Sequence, residues 1–450
     1  MWRTEAGGVI ALSDRQQTLL ELNKSCWSEV DGFARTCACG PARWWTPERL
    51  LTVLTLTAWC KGPTLIDRFN LAREALGKGG AKTYQGMVKA FNYTGPKLIR
   101  EAILKLQKQT EALAAQVGRV CGWVVFAVDG SRFDLCRTQR HIDAMGRCSK
   151  AGSGPQMGVT VLWHIGARLP WDWRIGRGDF SERAHFQEMI DSTPLDSLYV
   201  ADPGLVGYGV MTRIVQSGRH FLIRLGSNTR LLTGLGHGVE VKDTVYLWPS
   251  HAQQDKQPPL VARLIRLPLV AKPQNRRKGR RRRHVPVRWM YLLTSVLDRS
   301  LLSNHSAGVI YRMRWGIECC YRTLKQTMNA RKLRSCIPQN AVLEINGLIM
   351  GLVMLGLVTQ RAILADGGDA RRWSPANALR IVQSGLRKPR TVRIWSRFLA
   401  KALIDNYRRK RKTRVEWARK KRHDPVPSPP KRVKASKSQQ ELAQSIWSSL

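Results

Sequence analysis

The run Trp123-Val124-Val125-Phe126-Ala127-Val128 leads directly into Asp129-Gly130-Ser131. A short unbroken apolar segment closed by Asp-Gly reads as a buried strand that ends in a turn. Val159 to Ile165 reads as a second strand, and Leu198-Tyr199-Val200-Ala201 as a third that stops at Asp202-Pro203-Gly204. Phe221 to Leu225 adds a fourth, with helical stretches opening at Ser181-Glu182-Arg183 and running from about Val206 to Val215. Strands alternating with helices predict an α/β sheet whose functional groups stand at the carboxyl ends of strands. Asp129 and Asp202 occupy two such ends, where a buried carboxylate is costly unless it binds something. Asp-Gly and Asp-Pro-Gly also form turns for conformational reasons alone, so these acids need partners before they mean chemistry.

Working outward, the chain up to about residue 118 is patterned as helices. Thr46-Pro47-Glu48 supplies an N-cap and a first-turn proline before Leu50, Leu51, Val53 and Leu54, and another helix is expected after Thr94-Gly95-Pro96. From about 230 to 300 the pattern turns to short β segments, Val239 to Trp248, Leu260 to Leu267 and Val285 to Thr294, which predict a β insertion. Inside it lies Arg276-Arg277-Lys278-Gly279-Arg280-Arg281-Arg282-Arg283-His284, whose like charges repel unless solvent or a phosphate backbone neutralises them. The apolar stretch Gly347 to Val358 is too short to cross a bilayer and reads as a buried helix. After residue 388 basic and aromatic residues mix, and Pro425 to Lys437 reads as a flexible basic tail. The expected division is a helical region over 1–118, an α/β region over 119–365 holding the insertion, and a basic region over 366–450, helical and then flexible.

The 450 residues include 75 Lys or Arg against 32 Asp or Glu, a formal charge of +43. That excess excludes a membrane core or an enzyme built only for small neutral metabolites, and makes nucleic acid the first partner to test. Hydrophobic residues at 43% supply a real core and exclude a disordered basic tail protein. The opening MWRTEAGGVIALSDRQQ has no apolar run of signal-peptide length, so a cytoplasmic protein is expected. The 10 cysteines show no C-x2-C pairs and read as reduced thiols; Cys37-Ala38-Cys39 lacks a second pair to complete a metal site.

The densest chemical signal is Tyr311-Arg-Met-Arg-Trp-Gly-Ile-Glu-Cys-Cys-Tyr-Arg-Thr-Leu-Lys325, which predicts one helix. At about 100° per residue Tyr311, Arg314, Glu318, Arg322 and Lys325 share one face, while Met313, Ile317, Cys320 and Leu324 form an apolar stripe on the other. Taken alone this is also what an amphipathic helix with salt bridges looks like. Set beside Asp129 and Asp202, Glu318 becomes the third of three acids expected to gather. Their oxygens are hard ligands suited to Mg²⁺ or Mn²⁺, and two such ions can drive an in-line displacement at phosphorus. Arg314, Arg322 and Lys325 would supply positive charge along the strand being cut.

These residues resemble the DDE transposases of bacterial insertion sequences, in the branch with a Y-x2-R-x3-E-x6-K signature. Tyr311, Arg314, Glu318 and Lys325 match all four positions, and Arg314-Trp-Gly-Ile-Glu318 matches the local wording. Asp129-Gly130-Ser131 resembles the first acidic motif, and Asp202-Pro203-Gly204-Leu205 the second, with Leu205 in place of the usual Phe. The resemblance implies an RNase H-like catalytic domain with a β-strand insertion, a helical N-terminal domain and a helical basic C-terminal region. It implies that Asp129, Asp202 and Glu318 hold the metal ions, that Tyr311 and Arg314 contact the DNA end and that Lys325 grips a phosphate near the scissile bond. It implies a homodimer that synapses terminal inverted repeats and joins the freed 3′-hydroxyls to target DNA, often through a hairpin. Trp315 and Trp289 read as core residues before they read as base-stacking ones. Two alternatives stand beside this one: an inactive copy or related RNase H-like nuclease, and a non-catalytic basic DNA- or RNA-binding protein in which the acids are structural.

Overall fold

The computed structural model describes residues 2–3, 9–10, 45–75, 83–146, 154–238, 240–269, 288–387, 392–405 and 429–449. The run Arg276, Arg277, Lys278 and Arg280 and the pair Cys37 and Cys39 lie outside the described residues. In chain order the elements are α1 (Pro47–Trp59), α2 (Leu65–Ala75), α3 (Tyr84–Val117), β1 (Val125–Asp134), α4 (Gln139–Met145), β2 (Gln156–His164), β3 (Leu169–Arg177), α5 (Glu182–Met189), β4 (Leu198–Ala201), α6 (Tyr208–Gln216) and β5 (His220–Arg224). They continue with β6 (Arg230–Thr233), β7 (Thr244–Leu247), α7 (Ser250–Gln254), β8 (Leu260–Leu269), β9 (Arg288–Thr294), α8 (Asn304–Met313), α9 (Trp315–Arg322), a π-helical turn (Thr323–Thr327), α10 (Pro338–Ala365), α11 (Pro375–Arg387), α12 (Val392–Ala400), β10 (Lys431–Lys434) and α13 (Lys437–Ser448). Two compact units divide this chain: Met1–Arg119 with Asp129–His185 and Gly316–Asp405, and Val120–Val128 with Phe186–Trp315 and Asn406–Leu450.

The first unit is built on α10. The Trp59 indole of α1 donates to the Gly351 carbonyl at 2.8 Å, and a Cβ on Gly347 would stand 2.7 Å from Leu54 Cδ1. Glycine is therefore what lets the two helices approach. By length and composition α10 could span a bilayer, yet 83% of its apolar window is buried inside the fold, so it is the expected core helix, extended at both ends. Thr46 caps α1 as expected, its Oγ1 accepting the Arg49 amide at 3.3 Å. The helix expected after Pro96 instead begins at Tyr84, where Thr83 Oγ1 accepts the Gly86 amide at 3.0 Å, and passes through Pro96. An interior proline costs about 3 kcal/mol, and burial of Phe91, Leu98, Ala102, Ile103 and Leu106 offsets it.

In this unit β2 and β3 pair antiparallel from Met157↔Arg177 to His164↔Leu169, and β1 neighbours β2. β1 does not stop at Asp129: it runs on to Asp134, whose amide reaches the Arg331 carbonyl at 3.3 Å. Asp129 therefore sits within a strand, because pairing overrides the local Asp-Gly turn preference.

In the second unit β4 lies parallel to the start of β1, with Val125 opposite Leu198, and β5 lies parallel to β4, with Ala201 opposite Ile223. β4 and β5 thus run parallel to the start of β1, the parallel strands of a mixed α/β unit. The expected β insertion extends this sheet through β9, β8, β7 and β6, each antiparallel to its neighbour. The expected flexible tail instead contributes β10, parallel to β6 from Lys431↔Arg230 to Lys434↔Thr233, followed by α13. Trp447 of α13 packs its ring 4.5 Å from that of His237.

Candidate active site

In the second unit Asp202 immediately follows β4, at the carboxyl end where an α/β sheet presents its ligands. Its two oxygens are each engaged: the Tyr311 hydroxyl donates to Oδ1 at 2.7 Å, and Arg314 Nη2 meets Oδ2 at 3.0 Å. The Arg314 guanidinium also lies 5.8 Å from the centre of the Tyr311 ring, within cation–π range. Burial, and then the Asp202 charge, push the Tyr311 phenol above its ordinary pKa, so it stays a donor. Two signature residues and the second acid, read from separate stretches of chain, are thus in direct contact.

Tyr311 to Lys325 is not one uninterrupted helix. α8 closes at Met313, Arg314 forms its C-cap, and α9 begins at Trp315. α9 then passes into the π-helical turn, where Thr323 Oγ1 donates to the Cys319 carbonyl at 2.9 Å and the Met328 amide to the Thr323 carbonyl at 2.9 Å. A π turn inserts a residue into the ladder and often marks a functional site. The apolar stripe is buried at Ile317, Cys320 and Leu324, and Tyr321 joins it. Trp315 departs from the core reading, being 53% exposed, and Trp289 lies under the Arg266 guanidinium, 3.7 Å from the ring centre.

In the first unit Asp129 is half-buried on β1, with Oδ1 accepting the Gly130 amide at 3.0 Å. Glu318 is half-buried on α9, and Arg322 on the same helix is exposed. Lys325 leaves the π turn toward β1, where its Nζ donates to Ser131 Oγ at 2.8 Å and stands 5.0 Å from the Phe133 ring centre. Burial lowers its pKa, with Asp134 opposing and Arg331 reinforcing the shift. The Tyr321 hydroxyl lies 2.7 Å from the carbonyl oxygen of Asp129.

Two residues escaped the sequence reading. Arg224 ends β5, and the parallel register that sets Ala201 beside Ile223 carries it alongside Asp202, where its charge acts on Tyr311. The rule that singled out Asp202 also applies to Arg224 as the end of the next parallel strand, and could have found it. Tyr321 carries no such signal, since its role depends on where its hydroxyl reaches.

Carboxylate oxygens are hard donors of the kind Mg²⁺ and Mn²⁺ take, so Asp129, Asp202 and Glu318 fit a divalent ion by chemistry. Among the described residues no three His, Cys, Asp or Glu side chains are grouped as a metal-binding set. Mg²⁺ commonly uses one or two carboxylates and completes its shell with water and substrate phosphate.

The chain is similar to known proteins. Over 243 residues the chain is 27% identical to the transposase InsG for insertion sequence element IS4 of Escherichia coli strain K12; the alignment covers 51% of this chain and 51% of that relative, about half the relative's length. A solved structure, a cryo-EM structure of a piggyBac transposase synaptic complex with hairpin DNA, is similar over 86% of each chain at 12% identity and a TM-score of 0.41. The model of the transposase DDE domain matches residues 122–354, more than half of the chain and a span that contains Asp129, Asp202, Tyr311, Arg314, Glu318 and Lys325. By that match the chain belongs to the DDE transposase domain family.

Proposed function

We propose that this protein is a DNA transposase that cuts at the ends of a mobile element and joins the freed 3′-hydroxyls to target DNA. The observation that carries the reading is the seating of Tyr311 and Arg314 on the two oxygens of Asp202. An ordinary surface helix would spend such residues on its own i, i+4 neighbours; here they reach an acid at the end of a distant strand. Asp129, Asp202 and Glu318 are the catalytic acids. They would hold Mg²⁺ or Mn²⁺, two ions in the full reaction, supplying activation of the attacking water or 3′-hydroxyl and stabilisation of the leaving oxygen.

The chain's own residues orient the rest. Tyr311 and Arg314 fix the Asp202 carboxylate and face the DNA end, and Lys325, tethered to Ser131, presents a cation to a phosphate near the scissile bond. Arg322 and the basic run Arg276, Arg277, Lys278 and Arg280 contribute to duplex backbone contacts. The partners are double-stranded DNA, both terminal inverted repeats and target, and a second copy of the chain in a synaptic homodimer, with residues 1–118 recognising the repeats. The protein acts in the bacterial cytoplasm, at the nucleoid.

The test is divalent-metal-dependent strand cleavage of element-end DNA by wild type and by Asp129→Asn, Asp202→Asn and Glu318→Gln. Each variant is expected to bind DNA and fail to cut. Wild-type cutting by all three would exclude this assignment of chemistry.

A further inference from the structure

We propose that Tyr321 is a positioning residue for this centre, a hydroxyl link that fixes the helix carrying Glu318 against the strand carrying Asp129. The inference rests on the reading of Asp129 and Glu318 as catalytic acids. Tyr321 follows Glu318 by one turn of α9, and its ring is buried, 6.5 Å from Phe133 of β1. Its hydroxyl lies 2.7 Å from the Asp129 carbonyl oxygen and 3.0 Å from the Val159 carbonyl oxygen of β2, and accepts the Val161 amide at 3.2 Å. One buried oxygen thus bridges backbone groups of two adjacent strands while its own backbone belongs to the catalytic helix.

The geometry assigns the link a job that packing alone does not explain. A phenylalanine would fill the same space, but it would leave these backbone groups without the hydroxyl partner they have here, and unmade buried hydrogen bonds are costly. The hydrogen bond falls on the main chain of Asp129 itself, so it sets where that carboxylate starts from. The turn from Glu318 to Tyr321 is a single α-helical repeat, so the same bond sets the height of Glu318 along α9. Reactions that depend on two carboxylates are sensitive to this: a displacement of about 1 Å can cost on the order of 100-fold in rate. Tyr321 touches no reacting atom and acts through its neighbours.

The experiment compares full-length Tyr321→Phe with Cys320→Ala, which removes buried packing beside Tyr321 on the same helix but leaves the hydroxyl, and with Glu318→Gln. Single-turnover cleavage at saturating DNA, DNA-end affinity, thermal unfolding and hydrogen exchange at the Val161 amide are measured on each. Tyr321→Phe is expected to cut roughly 10- to 100-fold more slowly with DNA affinity unchanged and with faster exchange at Val161. Cys320→Ala should lose stability but keep its cleavage rate. A Tyr321→Phe enzyme that cuts at the wild-type rate overturns the proposal, as does an equal rate loss in Cys320→Ala. Should Tyr321→Phe not fold, Tyr321→His replaces it, keeping a donor at shorter reach: a folded protein with DNA affinity intact and a slowed rate supports the link, and an unchanged rate overturns it. If Glu318→Gln also cuts normally, the assignment of the centre has failed; if Glu318→Gln is inactive and Tyr321→Phe is normal, only the link has failed.

Discussion

The Tyr311 hydroxyl donates to Oδ1 of Asp202 at 2.7 Å across a separation of 109 residues. Arg314, three positions further on, takes Oδ2 of the same carboxylate. Residues three apart on a helix share a face, so a Tyr-x2-Arg spacing is what lets two donors from one segment meet the two oxygens of one acid. The signature's first gap is thereby a statement about carboxylate geometry.

Tyr311→Phe keeps the ring and removes the donor. Cleavage should fall roughly 10- to 100-fold with DNA binding retained, because Asp202 loses one of two groups that orient it. Stability should drop by about 1 kcal/mol, read from denaturant unfolding. Since burial and Asp202 raise the phenol's pKa, loss of its proton should not shape the rate profile between pH 6 and 9, and the wild-type and Phe profiles should have the same form there.

Arg314→Lys conserves charge but not the planar fork that reaches Asp202 while lying near the Tyr311 ring. Single-turnover cleavage should be markedly slower than wild type, and Arg314→Gln slower still. Equal rates for wild type and Arg314→Lys would mean the guanidinium geometry is unimportant.

Lys325→Met and Arg322→Gln each remove one cation expected to meet phosphate. Each should weaken binding to any duplex and reduce the slope of log affinity against log salt by about 0.9. A fluorescence anisotropy titration at several salt concentrations reads this directly. Unchanged slopes would place both cations away from the backbone.

His164 gives the fold an acid limit. It is buried in the first unit, its Nδ1 accepts the Ala167 amide at 3.0 Å, and burial lowers its pKa from 6.5 to about 4. A depressed folded-state pKa means the contribution is complete above about pH 6.5 and is lost as pH falls toward about 4, a swing of up to about 3 kcal/mol. His164→Asn, which keeps an acceptor but cannot titrate, should flatten wild-type stability loss across that window in urea unfolding measured from pH 7 to pH 4.

Much of this protein is legible along the chain because its signals are local. The apolar runs at Val125 and Leu198, the Thr46 cap and the stripe through Ile317, Cys320 and Leu324 depend on near neighbours and on helix or strand period, and each falls where that period puts it. β3 was not legible. It carries Pro170, Asp172 and Arg174, a pattern that looks like a loop, and it is a strand because the fully buried Asp172 is paired by Arg174 at 2.8 Å and by Arg100 of a distant helix at 3.1 Å. The same holds for β1 continuing past Gly130, for the helix through Pro96 and for β10 joining the sheet from a basic tail: in each, partners far along the chain outweigh a local preference worth at most a few kcal/mol.

The sequence by itself determined which residues carry charge, which faces are apolar and the spacing of the acids and the Tyr-Arg pair, since these follow from side-chain identity and backbone period. Only the tertiary structure decided that Tyr311 and Arg314 share Asp202, that Arg224 lies beside it and that Tyr321 holds the main chain of Asp129. Those are contacts between strands and helices separated by scores of residues, and no local pattern encodes them, because a hydrogen bond depends on where two atoms end up in space and not on how far apart they sit in the chain.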